Sequence, residues 1–276
     1  MTFSINVNPG ALSALRNLNR TSRELQTTQT HINSGLKIGS AKDNAAVFSI
    51  AQKLRGDLKG LNAVKQSLDR GVSSTDIALA GATAISDLLI EMKEKAVSAA
   101  DLGLDTTSRT ALSLDFNALR DQITTITANA EFNGTNLIDA NDDAVVAITN
   151  SDATQTYSIG HENLTLGGSN VTLTAGQSIT TQSAAQAVVS SIGTSIDNLN
   201  AVLTRLGSGS TGLEANRVFA GKLSDVIEVG IGNLVDADMA KESANLQALQ
   251  VKQQLGVQAL SIANQSPQSI LSLFQG

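Results

Sequence analysis

Cysteine is absent from this 276-residue chain, and with it disulfides, thiolate metal sites and thiol nucleophiles. Tryptophan is absent too, and aromatics are only 3% of residues, so any core is filled by aliphatic and small side chains, as where closely spaced helices pack along seams. The two prolines, Pro9 and Pro267, bracket the chain. Nothing between them forces a helix to break for want of a backbone donor. No run of 18 apolar residues occurs, so membrane insertion is not expected. The opening MTFSINVNPGALSAL lacks a cationic start, a continuous apolar run and a small-residue cleavage site, so a cleaved signal peptide is not expected either.

Chemistry-bearing clusters are equally scarce. His31 and His161 are the only histidines, and His161-Glu162 is not followed by the second histidine that a zinc-protease helix needs. Asp236 and Asp238 read as helix N-terminal caps rather than cation ligands. Asp142 and Asp143, in ANDDA, read as a turn rather than a pair of acid–base carboxylates. No serine lies in a nucleophile elbow and no glycine run has the strand-to-helix setting of a phosphate loop. No catalytic residue, metal or cofactor is expected.

The net charge of −6 hides a gradient. Residues 1–60 carry eight Lys or Arg against Glu24, Asp43 and Asp57, whereas no basic residue lies between Arg120 and Arg205, a stretch with eight acids. The basic residues are dispersed and have no aromatic stacking partners, which argues against nucleic-acid binding.

What the chain has is helical period. After Pro9, Ala11, Leu18, Leu25 and Ile32 recur every seven residues, with Leu15 and Leu36 nearby, predicting a helix that ends near Gly35 or Gly39. INSGLKIGSAKDNAA then reads as a turn-rich connection. Val47, Leu54, Leu61, Leu68, Thr75, Ala82, Leu89 and Ala96 hold the same spacing, predicting a helix of about fifty residues. DLGLDTTSR, residues 101–109, breaks it and offers Asp105, Thr106 or Thr107 as the next N-cap. Leu112 to Ala130 and Ala185 to Leu206 repeat the rhythm, the second stretch expected to stop at GSGSTG, residues 207–212. Antiparallel pairing of these helices is the simplest way to bury their stripes.

Between them, residues 133–181 turn to Thr, Asn, Asp, Ser and Gly with short β-branched pieces: VVAIT, TYSI, LTL and VTL. LTL and VTL, separated by GGSN, predict a hairpin. The expected fold is mainly α: long antiparallel helices forming a coiled-coil hairpin or rod, with a small β-hairpin element in the middle of the chain.

The last helix raises a separate question. At 100° per residue, Leu249, Val257 and Leu260 fall within roughly 60° of Leu246, while Val251, Leu255 and Ile262 fall on the opposite side. Two opposed stripes imply partners on two sides. One is expected to be the first helix and the other a neighbouring chain, whose repeated contact would build an open polymer.

The termini resemble the bacterial flagellins. The resemblance rests on SIN (4–6), NLNRTS (17–22), INSGLKI (32–38), KDNAA (42–46) and FNGTNLI (132–138), then on LVDADMAKESANL (234–246), the Gln-rich helix after it and ANQSPQSILSL (263–273). It implies an inner coiled-coil domain from both termini, residues 1–42 and 234–276, around which sits an outer domain of residues 43–132 and 182–233 with the β element at 133–181. It also implies terminal helices that fold on assembly, self-assembly with other flagellins, contacts with an export apparatus, chaperone, hook-associated and cap proteins, and an extracellular filament reached without a cleaved signal peptide. The interface residues expected are Leu12, Leu15, Leu18, Leu25, Ile32, Leu36, Leu246, Leu249, Val251, Leu255, Val257, Leu260, Ile262, Leu271 and Leu273. Glu91 and Lys95 stand where many flagellins carry Arg and Leu, so activation of the host innate receptor is not expected. A hook–filament junction protein and a signalling coiled-coil module are the competing readings.

Overall fold

The computed structural model describes the backbone of residues 8–274 and side chains from residue 8 through 265. The side chains of Leu271 and Leu273 lie outside the described residues.

Five helices carry the described chain, and each of their starts has an identifiable cap. Helix α1, Pro9–Ser34, begins where the Asn8 side chain accepts from Ala11 N at 3.0 Å, with Pro9 preset for the first helical position. It ends on Gly35 at φ 71, a left-handed cap that costs a glycine no Cβ clash. Helix α2, Ala45–Ala99, is 55 residues long; Asn44 Oδ1 accepts from Val47 N at 3.1 Å. Helix α3, Thr106–Asn129, is capped by Asp105, whose carboxylate accepts from Ser108 N at 2.6 Å. Helix α4 spans Gln182–Val235 and α5 spans Met239–Phe274. Thr181 Oγ1 accepts from Ala184 N at 3.2 Å at the start of α4. Asp238 Oδ1 accepts from Ala240 N at 3.0 Å and Lys241 N at 3.1 Å at the start of α5.

The strands form two separate antiparallel pairs. In the first, β1 (Glu131–Phe132) and β2 (Thr135–Asn136) flank Asn133 at φ 53 and Gly134 at φ 84, the positive dihedrals that a two-residue hairpin turn requires. In the second, β3 (Val145–Ile148) pairs with β4 (Thr156–Ile159), Val145 opposite Ile159 and Ile148 opposite Thr156.

Two expectations are corrected. Helix α4 does not stop at GSGSTG; it runs through residues 207–212 to Val235. Its glycines make room instead of a turn: a Cβ on Gly209 would come within 2.8 Å of Ile159 Cδ1, and one on Gly212 would run into the Tyr157 ring. The hairpin packs into these notches, so burial of Ile159 offsets the roughly 0.5–1 kcal/mol that each glycine costs a helix. LTL and VTL, in turn, are not strands. Their backbone donors are engaged elsewhere: Leu164 N donates to Ile138 O at 2.9 Å and Thr172 N to Ser195 Oγ at 3.0 Å. Gly167, at φ 77, donates back to Val171 O and Leu173 O, making a compact turn with no ladder.

The chain divides into two compact units, Asp57–Val226 and the terminal residues Met1–Gly56 with Ile227–Gly276, the division falling inside α2 and α4. The central unit has the larger core: Leu68, Ile85, Leu89 and Met92 from α2, Phe116 and Ile123 from α3, and Ile192, Leu199 and Leu206 from α4, all fully buried. Val145 and Ile159 of the hairpin and Leu164, Leu173 and Ile179 of the irregular segment join the same cluster. Each such side chain contributes about 1.5–3 kcal/mol on burial.

Candidate assembly interface

In the terminal unit, α1 and α5 pack antiparallel. Asn8 Nδ2 donates to Ala263 O at 2.7 Å at one end, Leu18 meets Gly256 midway, and His31 Nδ1 lies 3.4 Å from Glu242 Oε1 at the other. Beyond that end the chains are clamped by backbone bonds. Lys37 N donates to Val235 O at 2.7 Å and Ala237 N to Gly35 O at 2.8 Å, around a bridge between Leu36 and Asp236. The turn before α2 is held by Asp43, which accepts from Ser40 N at 2.9 Å, Ser40 Oγ at 3.1 Å and Gly39 N at 3.1 Å. The Ser40 amide, chiefly, holds the Asp43 carboxyl below the usual carboxylate range.

The packed seam has strict coiled-coil spacing. On α1 it comprises Ala11, Ala14, Leu18, Thr21, Leu25, Thr28 and Ile32, alternately three and four apart and all buried or half-buried. On α5 the seam is Glu242, Leu246, Leu249, Gln253, Gly256, Leu260 and Ala263; the other residues from 239 to 265 are exposed. Two such rows, run in opposite directions, interlock as knobs into holes. The polar end is closed by the His31 and Glu242 side chains, 16% and 14% exposed, each of which is the other's partner.

The residues expected at the interface divide into three groups. Leu18, Leu25, Ile32, Leu246, Leu249 and Leu260 lie in the seam, and Leu36 is half-buried in the bridge segment beyond it. Leu12 and Leu15 are 47% and 42% exposed, one residue out of step with the seam. Val251, Leu255 and Ile262 are 54%, 58% and 71% exposed on the opposite face of α5. Val257 departs from expectation: placed with Leu246, it is 54% exposed. The seam is centred roughly 40° to the other side of Leu246, at 100° per residue, and Val257 falls off its edge.

Ala14, Thr21, Thr28, Gln253, Gly256 and Ala263 were missed because the sequence reading weighted large aliphatics. Extending the seven-residue repeat of Ala11, Leu18, Leu25 and Ile32 to its intermediate positions finds them on α1.

Elsewhere the ionisable residues serve structure. Asp238 caps α5, and His161 Nε2 lies 2.9 Å from Asp139 O with Nδ1 3.7 Å from Asp142. Among the described residues no group of three His, Asp or Glu is placed to hold a metal ion, and no helix is long and apolar enough to cross a membrane.

Comparison with known proteins identifies the kind of chain whose two terminal helices pair in this way. The family model for the bacterial flagellin N-terminal helical region matches residues 5–143, and that for the C-terminal helical region matches residues 189–274. The chain belongs to the bacterial flagellin family.

Flagellin FljM of Caulobacter vibrioides is 52% identical to it over 272 residues, covering 99% of this chain and 98% of that one. A flagellin of Brucella melitensis is 36% identical over 285 residues, 99% of each. A solved structure described as a flagellar hook-associated protein of Vibrio parahaemolyticus superimposes with a TM-score of 0.59 over 70% of this chain and all of that one, at 12% identity; that likeness shows the fold alone. As a flagellin, the chain is a structural subunit of the flagellar filament, which is extracellular. Flagellins are structural proteins that polymerise with other flagellins.

Proposed function

We propose that this flagellin polymerises through α5, which holds α1 of its own chain on one face and a neighbouring subunit on the other. The observation that carries the reading is the exposure of Val251, Leu255 and Ile262 at 54%, 58% and 71%, opposite a seam whose residues are buried or half-buried. Covering such side chains is worth about 1.5–3 kcal/mol each when burial is complete. A helix that needs partners on both faces does not repay its ordering entropy alone. The terminal helices therefore fold on assembly and form the inner domain of the filament.

The remaining partners follow from membership of the family: the flagellar export apparatus and its chaperone during secretion without a cleaved signal peptide, and hook-associated and cap proteins at the filament ends. The test is polymerisation of Leu255→Asp. Sedimentation and electron microscopy are expected to show no filaments, while the central unit keeps the wild-type melting transition. Wild-type filament yield from Leu255→Asp would overturn the reading.

A further inference from the structure

The free stripe of α5 is itself heptad-spaced, and α1 carries a second stripe that matches it. On α5, Ala244, Ala248, Val251, Leu255, Gln258 and Ile262 alternate by four and three, and all are exposed. On α1, Leu12, Leu15, Asn19, Ser22, Gln26 and Gln29 alternate by three and four, one residue out of step with the intramolecular seam. All are exposed except Ser22, which is half-buried. Neither stripe contains a charge, although α1 carries Arg16, Arg20, Arg23 and Glu24 on its remaining surface.

Given the reading that the α5 stripe is an assembly surface, we infer that its partner is this second stripe of α1 in another copy of the chain, packed antiparallel with Leu15 opposite Leu255. Two observations select that partner. An α5 stripe meeting another α5 stripe would be a self-complementary contact that closes a pair, whereas a filament needs two different surfaces joined head to tail. The arginine face of α1 has no counterpart, because α5 contains no acid after Glu242, and unpaired buried cations are costly. Direction follows from the polarity of such a polymer. Copies joined head to tail along their helices all point the same way, and α1 runs antiparallel to α5 within each copy, so α1 of a neighbour runs antiparallel to α5 as well. With the spacings in step, Leu15 then falls opposite Leu255.

The chain's lack of cysteine makes the test clean. Full-length Leu15→Cys and Leu255→Cys are polymerised as an equimolar mixture on wild-type seeds and oxidised. The expected result is a disulfide-linked pair of chains in the mixed filaments, absent from filaments of either variant alone and from monomer, since bridging needs Cα atoms within about 7 Å. Self-linking of Leu255→Cys alone, linking of Leu255→Cys only with Asn19→Cys, or fully formed mixed filaments with no link would each overturn the pairing. Those outcomes leave α5-dependent polymerisation standing; filaments unaffected by Leu255→Asp would instead remove the reading beneath it. If the cysteine variants do not assemble, charge exchange replaces them. Leu15→Lys and Leu255→Glu are each expected to raise the critical concentration at least about tenfold. The double variant, whose charges meet across the contact, is expected to recover at least half of that loss on a logarithmic scale. A double variant as defective as both singles combined would overturn the pairing.

Discussion

Gly256 of α5 sits against Leu18 of α1 so closely that a Cβ would lie 3.2 Å from Leu18 Cδ1. A small residue on one helix thus receives a large one from the other, and the packing of the terminal pair depends on that difference in size.

Gly256→Ala is expected to change little, because a helix-propensity gain of about 1 kcal/mol opposes a slight displacement of a flexible leucine end. Gly256→Leu is expected to overpack the seam by about 1–3 kcal/mol. The critical concentration for polymerisation, measured for both variants, checks the contrast; equal values for the two would show that Leu18 has room to move aside.

The notches of α4 permit a second steric test. Gly209→Val places branched carbon where Ile159 of β4 now lies, and is expected to destabilise the central unit by about 1–3 kcal/mol. Calorimetry should show its melting temperature lowered by several degrees. An unchanged or higher melting temperature would mean that the hairpin is not seated on α4 as described.

Asp105 connects pH to helix order. The Ser108 amide, first among its partners, holds the Asp105 carboxyl below its usual range. The carboxylate form is therefore favoured by folding, and its contribution is fully present above the unfolded value of about 4 and lost as pH falls through the lower folded value. Protection of the first turn of α3 against hydrogen exchange, corrected for intrinsic rate, is expected to fall as the pH drops from about 5 through the carboxylate range and below it. Asp105→Asn keeps a capping oxygen and is expected to flatten that dependence, whereas an identical pH profile would assign it to other groups.

Removal of residues 246–276 deletes most of α5 and leaves the fully buried cluster of the central unit intact. The truncated chain is expected to retain the central melting transition and to form no filaments. Loss of that transition, followed by circular dichroism, would mean that α5 contributes to the central core.

Much of this molecule was legible along the chain because the signals are local. The seven-residue recurrence from Ala11 to Ile32 and from Val47 to Ala96 is a property of helix pitch, and Asn8, Pro9, Gly35 and Asp105 mark helix ends through bonds and dihedrals within a few residues. The opposed stripes of α5 likewise follow from angle alone. Val257 shows the limit: it lies within about 20° of Leu246 at 100° per residue, yet only the docked position of α1 sets which 100° of the helix is covered.

Tertiary structure decided the rest where local preference and packing disagree. GSGSTG favours a helix stop, but Tyr157 and Ile159 pack against Gly212 and Gly209, and burial across the helix outweighs the backbone entropy lost within it. LTL and VTL favour strands, but Ile138 and Ser195, distant in sequence, satisfy backbone groups that a ladder would have used. Period and caps are written in neighbouring residues and need no partner to be read. Which glycine is a notch, and which donor is already engaged, depends on atoms brought close only when the chain has folded.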